Sequence, residues 1–237
     1  MIYVTGDIHG EMDIRKFSAS KFPEGKELTR NDFVIVAGDF GMPWFVKGHK
    51  LYEKEQYWLN WLNDKPWTTL FVDGNHENFD LLNACPEVEM FGSRVGKVCE
   101  NIFHLKRGMI YQIDDKKILA LGGATSIDKD RRLVDFRRYG IKSWWEEELW
   151  TKEEEDRLFD NLDDELCVVD FVISHTAPMS VLLNEFHFTY LHPCPVSRML
   201  DEVLNRLTFR KWYFGHMHMD ETRGKFNCVY DKILEVK

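Results

Sequence analysis

The stretch Ile2-Tyr3-Val4-Thr5-Gly6-Asp7-Ile8-His9-Gly10 joins a short β-prone run, through one glycine, to an aspartate and a histidine. Four further runs repeat that pattern. Phe33–Ala37 leads into Gly38-Asp39, and Thr69–Val72 leads into Asp73-Gly74-Asn75-His76-Glu77. Phe171–Ile173 leads into Ser174-His175, and Trp212–Phe214 into Gly215-His216-Met217-His218. Short apolar runs with weak alternation suit strands covered on both faces. Between them, Leu51, Trp58 and Leu62 form one helical face, and Met199, Leu200, Val203, Leu204 and Leu207 form another. Strands alternating with helices predict a layered α/β fold. Ile102–Leu105, Met109–Ile113 and Lys117–Leu121 follow one another without a helix, so part of the sheet is expected to be antiparallel. In α/β sheets ligands gather at the carboxyl ends of strands. Five of the nine histidines fall in these clusters, whereas a core histidine is normally solitary. The clusters therefore read as one site.

Composition narrows the function classes. With 237 residues, 44% hydrophobic and 30% charged, the chain can bury a real core. Its length and the lack of repeats or low-complexity linkers predict one domain over residues 1–237. No stretch approaches about 18 consecutive apolar residues, so no membrane span is expected. The start, Met1 to Asp7, lacks the basic-then-apolar pattern of a signal peptide. Five cysteines (Cys85, Cys99, Cys167, Cys194, Cys228) are scattered and never form CxxC, which fits reduced thiols and a cytoplasmic location.

The net charge of −9 resides in residues 146–165, which hold eleven acidic and two basic residues; the remainder is neutral. Acidity therefore does not exclude an anionic substrate elsewhere on the surface. Thr151 followed by Glu154 predicts a capping box, and Leu158 and Leu162 one apolar stripe, so this segment reads as a helix with a solvated acidic face. A regulatory or partner-binding role is the alternative. Residues 129–142 run the other way, with six basic residues against two acidic.

The order of the clusters, Gly-Asp-x-His, Gly-Asp, Gly-Asn-His-Glu, a lone His and Gly-His-x-His, resembles the calcineurin-like metallophosphoesterase superfamily from Asp7 to His218. The resemblance implies a four-layer α/β/β/α sandwich with two mixed β-sheets and a dinuclear metal centre that hydrolyses phosphate esters by a metal-activated hydroxide. It also implies that Asp7, His9 and His218 bind one ion and that Asp39 bridges both. Asn75, His175 and His216 would bind the second ion. His76 would sit beside the substrate and protonate the leaving oxygen, a contribution of about 10²–10⁴-fold. Imidazole suits borderline metals, while carboxylate and amide oxygens suit harder ones. Two divalent ions per chain are thus expected, manganese foremost, then iron or zinc, and calcium fits poorly. Such ions outweigh the two carboxylates and a hydroxide, which leaves a positive seat for phosphate.

One motif departs from part of the family. Protein serine/threonine phosphatases carry Gly-Asp-x-Val-Asp-Arg-Gly second in order; here it reads Gly38-Asp39-Phe40-Gly41-Met42-Pro43-Trp44, without the second aspartate or the phosphate-binding arginine. The expected substrate is accordingly a small phosphodiester or a nucleotide. A phosphomonoesterase acting on proteins or small molecules is the alternative. A nuclease is less favoured, because the only basic concentration is short and adjoins an acidic helix. A non-catalytic scaffold could lose ligands, yet all seven metal positions and His76 are present. Arg131 or Arg132, after the Gly122-Gly123 loop, could replace the missing cation by charge-assisted hydrogen bonds, plain surface charge being the alternative. Trp44, Phe45, Phe79, Phe186, Phe188 and Tyr190 could stack a nucleobase, although such residues more often pack a core. His187 and His192 are expected at a rim or in packing, and His49 and His104 in structural roles. Asp73 and Glu77 lie near His76 in the sequence, and either, or neither, orients it.

Overall fold

Thirteen strands form two sheets in a computed structural model that describes residues 1–189, 192 and 194–237. The expectation placed on Tyr190 lies outside the described residues. Six strands build most of the first sheet: β1 (Ile2–Thr5), β2 (Phe33–Ala37), β3 (Thr68–Val72), β4 (Glu87–Met90), β5 (Ser93–Cys99) and β6 (Ile102–Leu105). The next six build the second: β7 (Ile110–Ile113), β8 (Lys116–Leu121), β9 (Phe171–Ser174), β10 (Lys211–Phe214), β11 (Glu221–Arg223) and β12 (Phe226–Cys228). The last strand, β13 (Leu234–Glu235), returns to pair antiparallel with β1. The orders are β13-β1-β2-β3-β6-β5-β4 and β11-β12-β10-β9-β8-β7. Both sheets are mixed. β1, β2, β3 and β6 run parallel, as do β8, β9, β10 and β12, while β5 and β7 pair antiparallel with β6 and β8.

Alternation along the strands splits the apolar residues between faces. Val4, Ile35, Leu70 and Val72 meet Ile118, Phe171, Ile173 and Tyr213 between the sheets. Val34, Val36 and Phe71 face outward and pack with Leu59 and Leu62 of α1 (Tyr52–Asn63). On the other side Leu119, Val172, Trp212 and Phe214 pack with Leu158 and Leu162, and with Leu200 and Val203. Those leucines and valine belong to α4 (Lys152–Asp164) and α6 (Pro195–Arg206); the shorter helices are α2 (Phe79–Leu82), α3 (Lys129–Tyr139) and α5 (Met179–Asn184). Three apolar layers separate four layers of secondary structure, which is the expected α/β/β/α sandwich. Among the described residues no helix is long and apolar enough to cross a membrane.

The basic stretch becomes α3, closed by Gly140 at φ +69°. Both halves of the capping box form at Thr151 and Glu154, and Leu158 and Leu162 are fully buried. Leu162→Ala should lower the unfolding free energy by about 2–5 kcal/mol. Thr151→Ala should cost about 1 kcal/mol. Glu153→Gln with Asp156→Asn, on the solvated face, should stay within about 0.5 kcal/mol. Urea unfolding measures all three, and a double variant as damaging as the leucine change would contradict a solvent-facing acidic surface.

Candidate metal centre

Parallel pairing aims the carboxyl ends of β1, β2 and β3 the same way, and that of β9 and β10 likewise. The loops that follow bring Asp7, His9, Asp39 and Asn75 of the first sheet against His175, His216 and His218 of the second. Within 4.8 Å of one another lie donor atoms of Asp7, His9 and His218, and in a second set those of Asp39, His175 and His216. A third set joins His9, Asp39 and His76, so His76 lies as near as the expected ligands.

The turns that create this convergence are unusual. His9, Asp39, His216 and His218 adopt left-handed φ of +45°, +47°, +65° and +48°. Such a conformation costs a non-glycine residue about 1–3 kcal/mol and persists only where surroundings enforce it. Asp39 O enforces it at the first motif by accepting from Ile8 N at 3.1 Å and His9 N at 2.8 Å. Gly38, at φ +92°, lies so close to the His175 ring that a Cβ would overlap it.

Asp7 and Asp39 are both buried, at 0% and 1% exposure, so each charge needs compensation. Asp7 Oδ1 accepts from His216 N at 3.0 Å. Asp7 Oδ2 accepts no hydrogen bond from the described residues and faces His218 Nε2 at 3.1 Å. Asp39 Oδ1 accepts from His76 N at 2.7 Å and lies 3.2 Å from His175 Nε2; Oδ2 lies 3.4 Å from His9 Nε2. His175 Nδ1 donates to Ala37 O at 2.9 Å, which turns Nε2 toward Asp39 and toward Asn75 Oδ1 at 3.1 Å. His9 is held the same way, its Nδ1 3.2 Å from Asp13 Oδ2. Burial pushes the Asp39 carboxyl up, but the His175 and His9 rings outweigh it and hold it well below the usual carboxylate range. Burial likewise presses His175 down, and Asp39 and Asp7 overcome it and lift the ring to about 10. Burial and the adjacent His175 drive His216 down to about 4, which keeps its nitrogen lone pair free. An orphaned carboxylate oxygen ringed by oriented imidazole nitrogens is what a first-row divalent cation satisfies. The donor set fits a metal centre.

A family model described as calcineurin-like phosphoesterase matches residues 1–220. The chain belongs to this family. No curated protein matches it. The protein is thus a metal-dependent hydrolase of phosphate esters, and its family implies divalent ions at the clusters above.

Around the centre of this phosphoesterase stand residues that the sequence pattern missed. Asn75 Nδ2 donates to Ser126 Oγ at 3.2 Å, and Ser126 donates in turn to Glu148 Oε2 at 2.6 Å. That chain fixes which way the Asn75 amide points. Glu148 is 1% exposed, so one member of the acidic run is an interior acceptor and not part of the solvated face expected for it. Its position among charged neighbours gave no signal. Lys16 is buried and donates to the carbonyls of Gly6, Asp7 and Tyr230, and burial lowers it to about 8. Neither neighbour of His76 orients it. Glu77 accepts from Phe40 N, Gly41 N and Gly74 N at 2.8, 2.9 and 3.3 Å and so rivets the second motif to the third. Burial and the nearby Asp39 push this carboxyl up to about 8. Asp73 instead binds Arg107 Nε at 2.8 Å and His104 Nε2 at 3.0 Å, which gives His104 the structural role expected.

The two candidate arginines part company. Arg132 is buried and places Nη2 2.9 Å from His76 Nε2, while its Nε donates to Asp128 Oδ1 at 2.7 Å. Arg131 points outward with its side chain 70% exposed, and it pairs with Asp128 and Asp135. Burial, with Arg132 as a further cause, lowers the His76 ring against the pull of Asp39. Of the candidate aromatics, Phe79 and Phe186 are buried core residues. Phe188 and His192 line the cleft over the centre, whereas Trp44 and Phe45 line a separate cavity. His49 stacks on Phe45 at 4.5 Å.

Asp73 is buried directly before the Gly74-Asn75 turn, so its compensation by Arg107 matters to the site. Arg107→Met should strand the carboxylate and cost about 3–5 kcal/mol. Adding Asp73→Asn should recover part of that loss. Thermal melting measures both, and a single variant as stable as the parent would remove the pair from the framework of the site.

Proposed function

We propose that this phosphoesterase hydrolyses a small phosphodiester or a nucleotide at a dinuclear centre, within a single domain of a cytoplasmic protein. The observation that carries the reading is Arg132, a buried guanidinium 2.9 Å from His76 in the cleft that Asp39, Asn75 and His216 also line. Asp7, His9 and His218 would hold one ion and Asn75, His175 and His216 the other, with Asp39 available to both sets. Manganese is the ion proposed, ahead of iron or zinc, and the mixed nitrogen and oxygen donors suit first-row divalent ions of this kind. When bound, two such ions activate a water as nucleophile and neutralise charge on the phosphoryl group.

The remaining chemistry belongs to the chain. Asp128 and Ser143 O hold the Arg132 guanidinium and leave Nη2 facing the cleft. A phosphoryl oxygen is an anionic acceptor and competes well against a neutral ring nitrogen for that N–H. Substrate binding thereby draws Arg132 onto phosphate and frees a His76 nitrogen for the proton it delivers to the leaving oxygen. Arg132 stands in for the arginine absent from the second motif, and Arg131 contributes only by steadying Asp128. The cleft measures about 530 Å³ and adds Ile127, Met179, Leu182, Phe188 and Met217 to its polar floor. That apolar room supports a substrate with an organic group on either side of phosphorus over a bare monoester, and it suits a small molecule better than nucleic acid. Five free cysteines support the cytoplasmic assignment.

Asp39→Asn should release at least one ion and lose turnover while remaining folded; metal analysis beside kinetics tests this, and two retained ions with near-normal rates would overturn the bridging role. His76→Ala should slow turnover by about 10²–10⁴-fold with both ions retained, and the defect should shrink for esters of acidic alcohols. Loss of metal in that variant would make His76 a ligand instead.

A further inference from the structure

A second cavity of about 300 Å³ adjoins the cleft, and His76 is the one described residue that lines both. Its walls are Met12, Met42, Trp44, Phe45 and Leu51, with His9 and His76 at the inner end. The aromatic wall is fixed in place. Glu55 of α1 is buried and accepts from Trp44 N at 2.7 Å and Phe45 N at 3.2 Å. Asn78 Nδ2 donates to Trp44 O at 2.8 Å, and the Trp44 ring meets the Trp145 edge at 5.5 Å. The charged lining residues are already engaged, since Lys54 pairs with Glu11 at 2.7 Å and Glu55 holds the backbone. What remains is an apolar slot that suits an uncharged planar group.

We infer that this slot is the leaving-group subsite and that it receives the aromatic alcohol portion of the ester. The inference rests on the function proposed above. It follows from the placement of His76: a proton donor on the wall between two cavities marks where the scissile bond crosses from one to the other. The phosphoryl group lies on the Arg132 side, and the group whose oxygen takes the proton lies on the Trp44 side. In the reaction the water oxygen bonds to phosphorus, and the ester P–O bond breaks with its electron pair on the leaving oxygen. His76 supplies that oxygen with a proton and regains one from the attacking water, so one water is consumed in total. Alcohols that fill the slot gain apolar burial that a methyl group lacks, which discriminates by a factor of about ten to a hundred.

Methylphosphonate and benzylphosphonate, titrated calorimetrically into the metal-loaded protein, test this without turnover. Benzylphosphonate should bind at least tenfold more tightly, and Met12→Glu or Phe45→Ala should each bring the two within about threefold. Met12 is 70% exposed, so its substitution spares the fold even if the Phe45 variant does not. Equal affinities in the parent protein would overturn the subsite and leave the phosphate seat intact. An advantage that survives both substitutions would put the ring in the other cavity and also overturn it. Binding of neither ligand would overturn the phosphate seat, and the subsite with it.

Discussion

Asp7 and Asp39 bury two carboxylates where sheets from opposite halves of the sandwich meet. An uncompensated charge there would cost far more than a protein's net stability. Much of the local structure answers that demand. Imidazoles from β9 and β10 face the carboxylates, backbone amides of His76 and His216 donate to them, and buried Lys16 holds the carbonyls around Asp7. Four left-handed residues cluster at the same place. Strain of this kind is tolerated because the turns it creates bring cation-seeking groups to one point.

The arginine proposed to seat phosphate lies outside the second motif, where the protein phosphatases of the family carry theirs. Here the loop after Asp39 runs Phe40-Gly41, and Glu77 pins it through backbone amides, which leaves no side chain there to reach an anion. Arg132 enters from α3, a helix lying between β8 and α4 in the chain, and arrives at His76 from the other side of the cleft. Its partner Asp128 and the Ser143 carbonyl hold it in place through hydrogen bonds of 2.7 and 2.9 Å.

The strands ending in Gly-Asp, Gly-Asn-His and Gly-His-x-His were legible because backbone pattern and side-chain chemistry coincide there. The layered fold followed from the same runs. Strands such as β4, with Glu87 and Glu89 facing outward, carry half their residues in solvent and show no long apolar run. Glu148 and Asp13 were hidden for another reason. Glu148 acts through Ser126, 22 positions away, and nothing in a run of acids distinguishes an interior acceptor from a solvated one; Asp13 meets His9 from only four positions away, but no motif marks it. Arg131 and Arg132 are adjacent and identical, and only the helical rotation between them decides which faces the cleft.

Two of the three sets of donors are divided between the two sheets: Asp7 and His9 face His218 across the seam, and Asp39 faces His175 and His216. Cohesion of the halves and affinity for the ions are then two readings of one free energy. An ion that binds only the assembled seam stabilises it by RT ln(1 + [L]/Kd), about 2.7 kcal/mol at a hundredfold excess over Kd. The centre thus acts as a cross-link whose strength is set by the metal supply of its surroundings. A protein built this way is sturdiest when it is ready to work, and metal starvation loosens the seam between its halves as it silences the reaction.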